Sequence, residues 1–298
     1  MNLNQFNVQR AYINVTGNIN HIINFRITPD ISRETGTGPS LTGSLIYRTK
    51  YAFVQFNMDD WMTRGSWARF GIQQTPWVDF EEGIYRYRFQ GTVFAEREGF
   101  LSSSDAGASF HYNLPSNYGD FHVGVYNGET YTRPELNNRK AVQIRGSVRP
   151  FATGSTVLRG LRGHVFYDAD SYIKNDERNR FIGSVTYEHL YVNAGFDYLD
   201  TKDQPTAVMP EVNGNGYSLW GTPRFHNFEA LLRYDRFKPD DSHDDQHRDR
   251  KIFGVSYWFP HQGNVSTALL LDYDSQSFHN IPSQVRQTRI AVHGLVNF

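Results

Sequence analysis

The sequence predicts an all-β fold, a transmembrane antiparallel β-barrel that would cross a membrane with strands. Three observations lead to this prediction: side chains alternate between apolar and polar, connections alternate between short and long, and the polar face carries many charges. The chain has 298 residues, a length that soluble proteins often divide into about two domains of roughly 150 residues. Because the alternation runs through the whole chain, we expect a single domain over residues 1–298.

The alternation is clearest near the end of the chain. Ile290, Val292 and Val296 share one parity, whereas Arg289 falls on the other. Comparable period-two stretches recur throughout the sequence, and each predicts a strand with one apolar face. The longest unbroken apolar runs are about four residues, far below the roughly 20 that a spanning helix needs. A short turn over residues 78–84 is the one helix-like stretch.

The connections sort by length along the chain. Short connections lie at residues 17–20, 115–119, 188–190, 222–224 and 260–263, and longer polar ones lie at 30–40, 75–103, 129–139, 171–180, 201–213, 238–250 and 277–284. Short turns at one end and long loops at the other are typical of outer-membrane barrels. This pairing gives about fifteen strands, whereas single-chain bacterial barrels have an even number. The missing strand would lie either within residues 75–103 or before residue 1. Since the first connection is short, we favour the second place and expect a secretory signal before residue 1 of the native protein.

Charged side chains fall opposite the apolar parity and would point into a hydrated lumen. The first half of the chain supplies a predicted basic wall of the pore: Arg10, Arg26, Arg69, Arg145, Arg149 and Arg162. The second half supplies a predicted acidic wall: Glu188, Asp197, Glu229, Asp235 and Asp272. Two walls of opposite charge would orient dipolar solutes and favour small polar molecules. The alternative is that the charges only keep the lumen wet.

Composition excludes several classes of protein. The chain has no cysteine, which excludes disulfide scaffolds, cysteine-ligated zinc and iron–sulfur clusters. A sequence pI of about 6.8 gives no basic surface for nucleic acid. Residues 240–249 offer many oxygen ligands but lack the glycine and terminal glutamate of a calcium loop, so we expect a solvated loop. We expect no bound metal and no cofactor.

Three segments in the first part of the chain resemble a known family. They are Gln9-Arg10-Ala11-Tyr12-Ile13-Asn14-Val15-Thr16-Gly17, Arg69-Phe70-Gly71 followed by Thr75-Pro76-Trp77, and Phe94-Ala95-Glu96-Arg97. In order and spacing they are similar to the phosphate-selective porin O and P family, over residues 1–115. The resemblance implies an outer-membrane barrel of about sixteen strands, usually a trimer, with one loop folded inward. Gln74 stands where lysine is common in that family, so a general porin remains an alternative to a phosphate-selective one.

The resemblance places the inward loop at residues 75–103. Its many aromatic rings would be buried if the loop packed into the lumen against the wall. The charged loop residues expected to set the narrowest point are Glu81, Glu82, Arg86, Arg88, Glu96 and Arg97. Phe298, a terminal aromatic on an alternating last strand, resembles the signal that the barrel-assembly machinery of the outer membrane recognises.

The sequence therefore predicts a porin of the bacterial outer membrane that passes small polar or charged solutes by passive diffusion. Expected partners are outer-membrane lipid, lipopolysaccharide, the assembly machinery and two further copies of the chain in a homotrimer. One alternative is a structural or accessory subunit of a larger membrane complex. A barrel enzyme is a weaker alternative, because no Gly-x-Ser-x-Gly motif is present and only pairs such as His164 with Asp168 suggest a site.

Overall fold

A computed structural model describes residues 4–34, 42–135, 137–173, 176–204, 206, 208–261 and 263–298. Fifteen strands form one antiparallel sheet in which each strand pairs with the next, and a further three-residue strand extends one hairpin. The prediction of an all-β antiparallel architecture with about fifteen visible strands is confirmed. Within the described residues, no helix is long and apolar enough to cross a membrane.

The strands have the following bounds. They are β1 (Val15–Asn18), β2 (Ile23–Arg33), β3 (Leu45–Asn57), β4 (Trp67–Gln74), β5 (Ser104–Asn113), β6 (Gly119–Tyr126), β7 (Ala141–Val148), β8 (Leu161–Ala169), β9 (Ser171–Ile173), β10 (Asp176–His189), β11 (Val192–Asp203), β12 (Val212–Phe225), β13 (Phe228–Lys238), β14 (His247–Trp258), β15 (Ser266–His279) and β16 (Gln287–Asn297). The short β9 pairs only with β10.

Both α-helices lie in the connection between β4 and β5. Helix α1 (Val78–Tyr85) coincides with the helix-like stretch in the sequence and ends at Arg86, whose backbone is left-handed with φ of 64°. Helix α2 (Phe94–Arg97) is a single turn. Two three-residue 3₁₀ turns, Pro115–Asn117 and Leu158–Gly160, lie outside this connection.

The two faces of the sheet have opposite polarity. On β15, Leu269 and Leu271 are 49% and 56% exposed, whereas Leu270 and Asp272 are buried. The same alternation recurs on the other long strands, with apolar side chains outside and most polar ones inside. A soluble β-protein buries its apolar face instead, so the exposed apolar face of this sheet fits a lipid environment.

Two connections differ from the sequence prediction. The turn expected at residues 222–224 lies at residues 226–227, where His226 adopts a φ of 55°, because β12 continues through Pro223 to Phe225. A proline tolerates a strand position that needs no N–H donor, so it did not end this strand. The long loop expected at residues 171–180 is mostly the β9–β10 hairpin. Polar residues can pair there because backbone hydrogen bonds do not require an apolar face.

The first and last strands are not paired with each other in the described structure. Residues 4–14 and 285–298 face each other across a cavity of about 2000 Å³. Unpaired strand edges of this kind can accept a further strand. The expected strand before residue 1 stays a prediction.

Candidate pore and its inward loop

The inward loop (residues 75–103) packs aromatic side chains against the inner face of β10–β15, which we call the loop-covered wall. Tyr85 and Tyr87 are at most 1% exposed. The Tyr85 ring meets Trp220 edge-on, with 5.2 Å between ring centroids, and the hydroxyls of Tyr87 and Ser256 share a hydrogen bond of 2.6 Å. These aromatic rings of the inward loop are therefore buried against the inner face of the sheet rather than exposed to water.

A glycine positions the ring that receives the loop. Trp220 lies flat across Gly195 on the neighbouring strand, and a Cβ at that position would lie 2.5 Å from the indole. Glycine is therefore required for this close approach. The indole can then reach Tyr85 of the loop.

Polar contacts fix the second half of the loop on the same wall. Arg233 Nη1 donates to the backbone oxygen of Thr92 at 3.0 Å. Arg97, one of the predicted constriction residues, lies 3.5 Å from Asp274. The loop thus shields part of the carboxylate-bearing wall from the open lumen.

The predicted acidic residues all lie on the inner face, and four of the five have a cationic partner. Glu188 pairs with Arg162 at 2.7 Å, Glu229 pairs with Arg224, Asp235 pairs with Arg233 at 2.7 Å, and Asp272 lies 3.5 Å from Arg289. The sequence therefore located these carboxylates on one side of the lumen. It did not show that their partners neutralise most of the charge that this side presents.

The fifth acidic residue, Asp197, faces Glu81 of helix α1. Both side chains belong to residues that are 2% exposed. Burial raises the pKa of Glu81 well above its ordinary value, and the negative charge of Asp197 raises it further. Two buried carboxylates at close range are not both ionised at low cost, so Glu81 keeps its proton to a higher pH than an exposed glutamate does.

The predicted basic residues divide into two groups. In the first group, Arg145 pairs with Asp120 and Arg162 pairs with Glu188. Arg149 lies beside them and lines a small cavity of about 210 Å³. The charges of this group are thus partly neutralised.

The second group consists of Arg10, Arg26 and Arg69. None of the three has a carboxylate at ion-pair distance among the described residues. The Arg26 guanidinium lies 4.7 Å from the centre of the Tyr51 ring, and that of Arg69 lies 3.7 Å from the centre of the Trp67 ring. Aromatic faces hold a cation in place without cancelling its charge.

A fourth unpaired cation, Lys50, was missed from the sequence. Thr28 pairs with Tyr51 and Pro29 pairs with Thr49, so Lys50 is the extra residue of a β-bulge. It is 3% exposed, and its ammonium group lies over two tyrosine rings. Strict alternation puts Lys50 and Tyr51 on opposite faces, and only the proline in the paired strand signals the irregularity.

We call Arg10, Arg26, Lys50 and Arg69 the basic face. The hydroxyl of Tyr12 accepts hydrogen bonds from Arg10 at 3.2 Å and from Lys50 at 3.1 Å. Tyr12 also lines the 2000 Å³ cavity, together with Arg10. Of the basic face, Arg10 lines this cavity, whereas Arg26, Lys50 and Arg69 do not.

Two further cations of the inward loop, Arg86 and Arg88, lie beside this cavity. Arg88 is held between Glu82 and Glu96, and both Arg86 and Arg88 line the cavity. Burial raises the pKa of Glu82 to about 7, although Arg88 acts in the opposite direction. Arg86 stacks on Trp258, with 4.7 Å between its guanidinium and the ring centre. Arg86 and Arg88 thus border the cavity, and it stays a prediction that the charged loop residues set the narrowest point of a pore.

An apolar exterior, a polar interior and a loop folded inward are features of outer-membrane β-barrels. Solved structures agree. The anion-selective porin from Comamonas acidovorans is 10% identical, with a TM-score of 0.62 over 96% of this chain and 88% of that one. A loop-deletion mutant of OmpT from Vibrio cholerae is 12% identical, with a TM-score of 0.61 over 96% and 89%. OmpF from Salmonella typhi in complex with daunomycin is 12% identical, with a TM-score of 0.60 over 99% and 92%.

The structural similarity, rather than the low sequence identity, shows that the fold is that of the outer-membrane porins, and the fold prediction is confirmed. No protein-family model and no curated protein matches the sequence.

Proposed function

We propose that this protein is a porin of the bacterial outer membrane, a passive diffusion channel for small polar solutes. The observation that carries the proposal is the inverted polarity of the sheet, apolar outside and polar inside, with the inward loop packed on the inner face. Its fold neighbours include proteins named as porins, and the exposed apolar face suits lipid. This fold also hosts other functions in principle, so the channel is argued from its lumen.

We further propose that the channel prefers anions. The four cations of the basic face have no carboxylate partner among the described residues, whereas most carboxylates of the loop-covered wall are paired. The Glu82–Arg88–Glu96 group has two carboxylates and one cation, so it has a net negative charge. The exposed Asp79 adds one more negative charge. Cations still outnumber anions beside the opening, and a cationic lining raises the local concentration of anions.

Single-channel recording tests both parts of the proposal. The chain refolded in detergent is inserted into a planar bilayer, and the reversal potential is measured across a potassium chloride gradient. We expect steady open-channel steps and a reversal potential of the sign that chloride permeation gives. The variant Arg26→Gln should reduce the anion preference. The matched control Lys251→Gln removes a cation from an exposed outward position and should leave the preference unchanged.

Other outcomes favour the alternatives. A well-folded barrel without conductance would favour an accessory subunit. Phosphate that blocks the chloride current would support the finer resemblance to phosphate-selective porins. An enzyme is disfavoured because His164 shares hydrogen bonds with Ser147 and Thr186, at 2.9 and 2.8 Å, rather than with a carboxylate that would orient it as a base.

The expected partners belong to the same proposal. A homotrimer, lipopolysaccharide contact and recognition of Phe298 by the assembly machinery would accompany a porin of this fold. Phe298 follows the end of β16 and is 90% exposed, so it is accessible for recognition. Loss of folded protein from the outer membrane after deletion of Phe298, with unchanged refolding in detergent, would support that role.

A further inference from the structure

Two histidines and an aspartate meet on the outer face of the sheet, at the end of β14 and β15 remote from the connection between them. His247 and Asp249 are two residues apart on β14 and therefore share a face. His279 pairs directly with His247 across the ladder. Phe253 and Val255, which have the same parity on β14, are 51% and 58% exposed. The group thus lies outside the lumen and is separate from the proposed channel.

The three side chains converge on one point. The two imidazole rings are stacked, with 4.2 Å between centroids and 15° between planes. Their Nε2 atoms lie 3.7 Å (His247) and 3.4 Å (His279) from Oδ2 of Asp249. The three ligand atoms all lie within 4.8 Å of one another. Because zinc–nitrogen and zinc–oxygen bonds are about 2.0–2.2 Å, small ring rotations would bring all three atoms to one ion.

Neighbouring side chains hold the aspartate in this orientation. Its Oδ1 accepts hydrogen bonds from Arg236 Nε at 2.7 Å and from the Tyr234 hydroxyl at 3.0 Å. Arg236 Nη2 also donates to Oδ2, at the longer distance of 3.1 Å. Carboxylate ligands are commonly oriented by hydrogen bonds of this kind. The guanidinium offsets the carboxylate charge, so the imidazoles must supply much of the affinity.

We propose that His247, Asp249 and His279 form a binding site for a divalent transition-metal ion that prefers nitrogen ligands, such as Zn²⁺, with water completing the coordination. Two imidazoles and one carboxylate suit Zn²⁺ or Cu²⁺, whereas Ca²⁺ and Mg²⁺ prefer sites built of oxygen. A bound ion would tie β14 to β15 at the rim of the barrel. This cluster was not predicted from the sequence, because His279 lies far along the chain from the acidic loop at residues 240–249.

Titration of the refolded full-length chain with Zn²⁺ tests the site by calorimetry. We expect a single ion per chain, and at least tenfold weaker binding in His247→Gln and in His279→Gln. His243→Gln is the matched control, because His243 lies in the adjacent loop and pairs with Asp240 rather than with the cluster. Heat-dependent migration in gels verifies that each variant is folded. Zn²⁺ should raise the unfolding temperature of the wild type and of His243→Gln only.

Three results would overturn the site. The first is an absence of Zn²⁺ binding at millimolar concentration by folded wild-type protein. The second is equal affinity in the cluster variants and the control. The third is displacement of Zn²⁺ by Ca²⁺ at a similar concentration, which would assign binding to the carboxylates of residues 240–245. None of these results depends on conductance, so the proposed metal site and the proposed channel are tested independently.

Discussion

Charged side chains on the two sides of the lumen differ in whether they have an oppositely charged partner. On the loop-covered wall, Arg233 and Asp235 form an ion pair of 2.7 Å and are at most 3% exposed. On the basic face, Arg26 and Lys50 lie on tyrosine rings without a carboxylate partner among the described residues. Residue counts per wall therefore do not give the field in the lumen, because the partner of each charge decides what the solute meets.

The difference follows from what covers each side. The loop-covered wall is dry, since aromatic side chains of the inward loop pack on it, and an unpaired charge there would be strongly destabilising. On the basic face, Arg10 borders the cavity, whereas Lys50 is buried and is held by tyrosine rings rather than by a carboxylate. The loop thus fills one side of the interior with packed aromatic side chains.

The largest expected effect comes from undocking the loop. Tyr85→Ala removes a ring that is 1% exposed and contacts Trp220. Truncation of a buried aromatic side chain costs about 3–5 kcal/mol. We expect the loop to detach, which would raise single-channel conductance and current noise in a planar bilayer.

The control for this variant keeps the ring. Tyr85→Phe retains the ring that contacts Trp220, so it should conduct like the wild type. Unchanged conductance in Tyr85→Ala would mean that the loop does not limit the current.

A second variant tests whether a buried ion pair stabilises the loop-covered wall. Arg233→Gln leaves the buried Asp235 without its cation and removes a donor to the backbone of Thr92. Breaking one partner of a buried ion pair costs about 3–5 kcal/mol. We expect a clear loss of stability in urea, measured by the shift of tryptophan fluorescence.

The double variant Arg233→Gln/Asp235→Asn supplies the control. It removes both charges, so much of the lost stability should return. A double variant as unstable as the single one would show that the contact with Thr92, rather than the ion pair, supports the wall.

The alternation of apolar and polar residues predicted which face of the sheet many charged side chains occupy, but it did not predict their pairing or the position of Lys50. It assigned residues such as Asp197 and Arg145 to the inner face, where the structure places them, because the side-chain period of a strand leaves two choices. It could not predict pairing, since Arg162 and Glu188 come from strands that meet only in the folded sheet. It also missed Lys50, because a bulge adds one residue and shifts the parity beyond it.

A smaller effect is expected from the residue that the bulge adds. Lys50→Gln removes one of the four unpaired cations while leaving Arg26 and Arg69 in place. The reversal potential should move toward zero by less than in a triple variant that lacks the charges of Arg26, Lys50 and Arg69. Lys140→Gln, which lies on an exposed loop and pairs with Glu135, serves as the control and should show no shift. An equal shift in both variants would locate the selective field outside the lumen.

The smallest effect concerns Glu81 and Asp197, two buried carboxylates that have no ion-pair partner among the described residues. Burial and Asp197 raise the pKa of Glu81 in the folded chain. A raised pKa means that the protonated carboxyl stabilises the docked loop at pH values below the ordinary glutamate pKa. This contribution is lost as the pH rises through the raised value, because deprotonation then places two charges in a buried site. Current noise from loop motion should therefore increase as the pH rises well above the ordinary glutamate range, whereas Glu81→Gln should keep the low-noise behaviour throughout. Glu135→Gln, which changes an exposed glutamate, should follow the wild type. A pH-independent wild type would show that Glu81 does not ionise in this range, and noise that rises equally in Glu81→Gln would place the titrating group elsewhere.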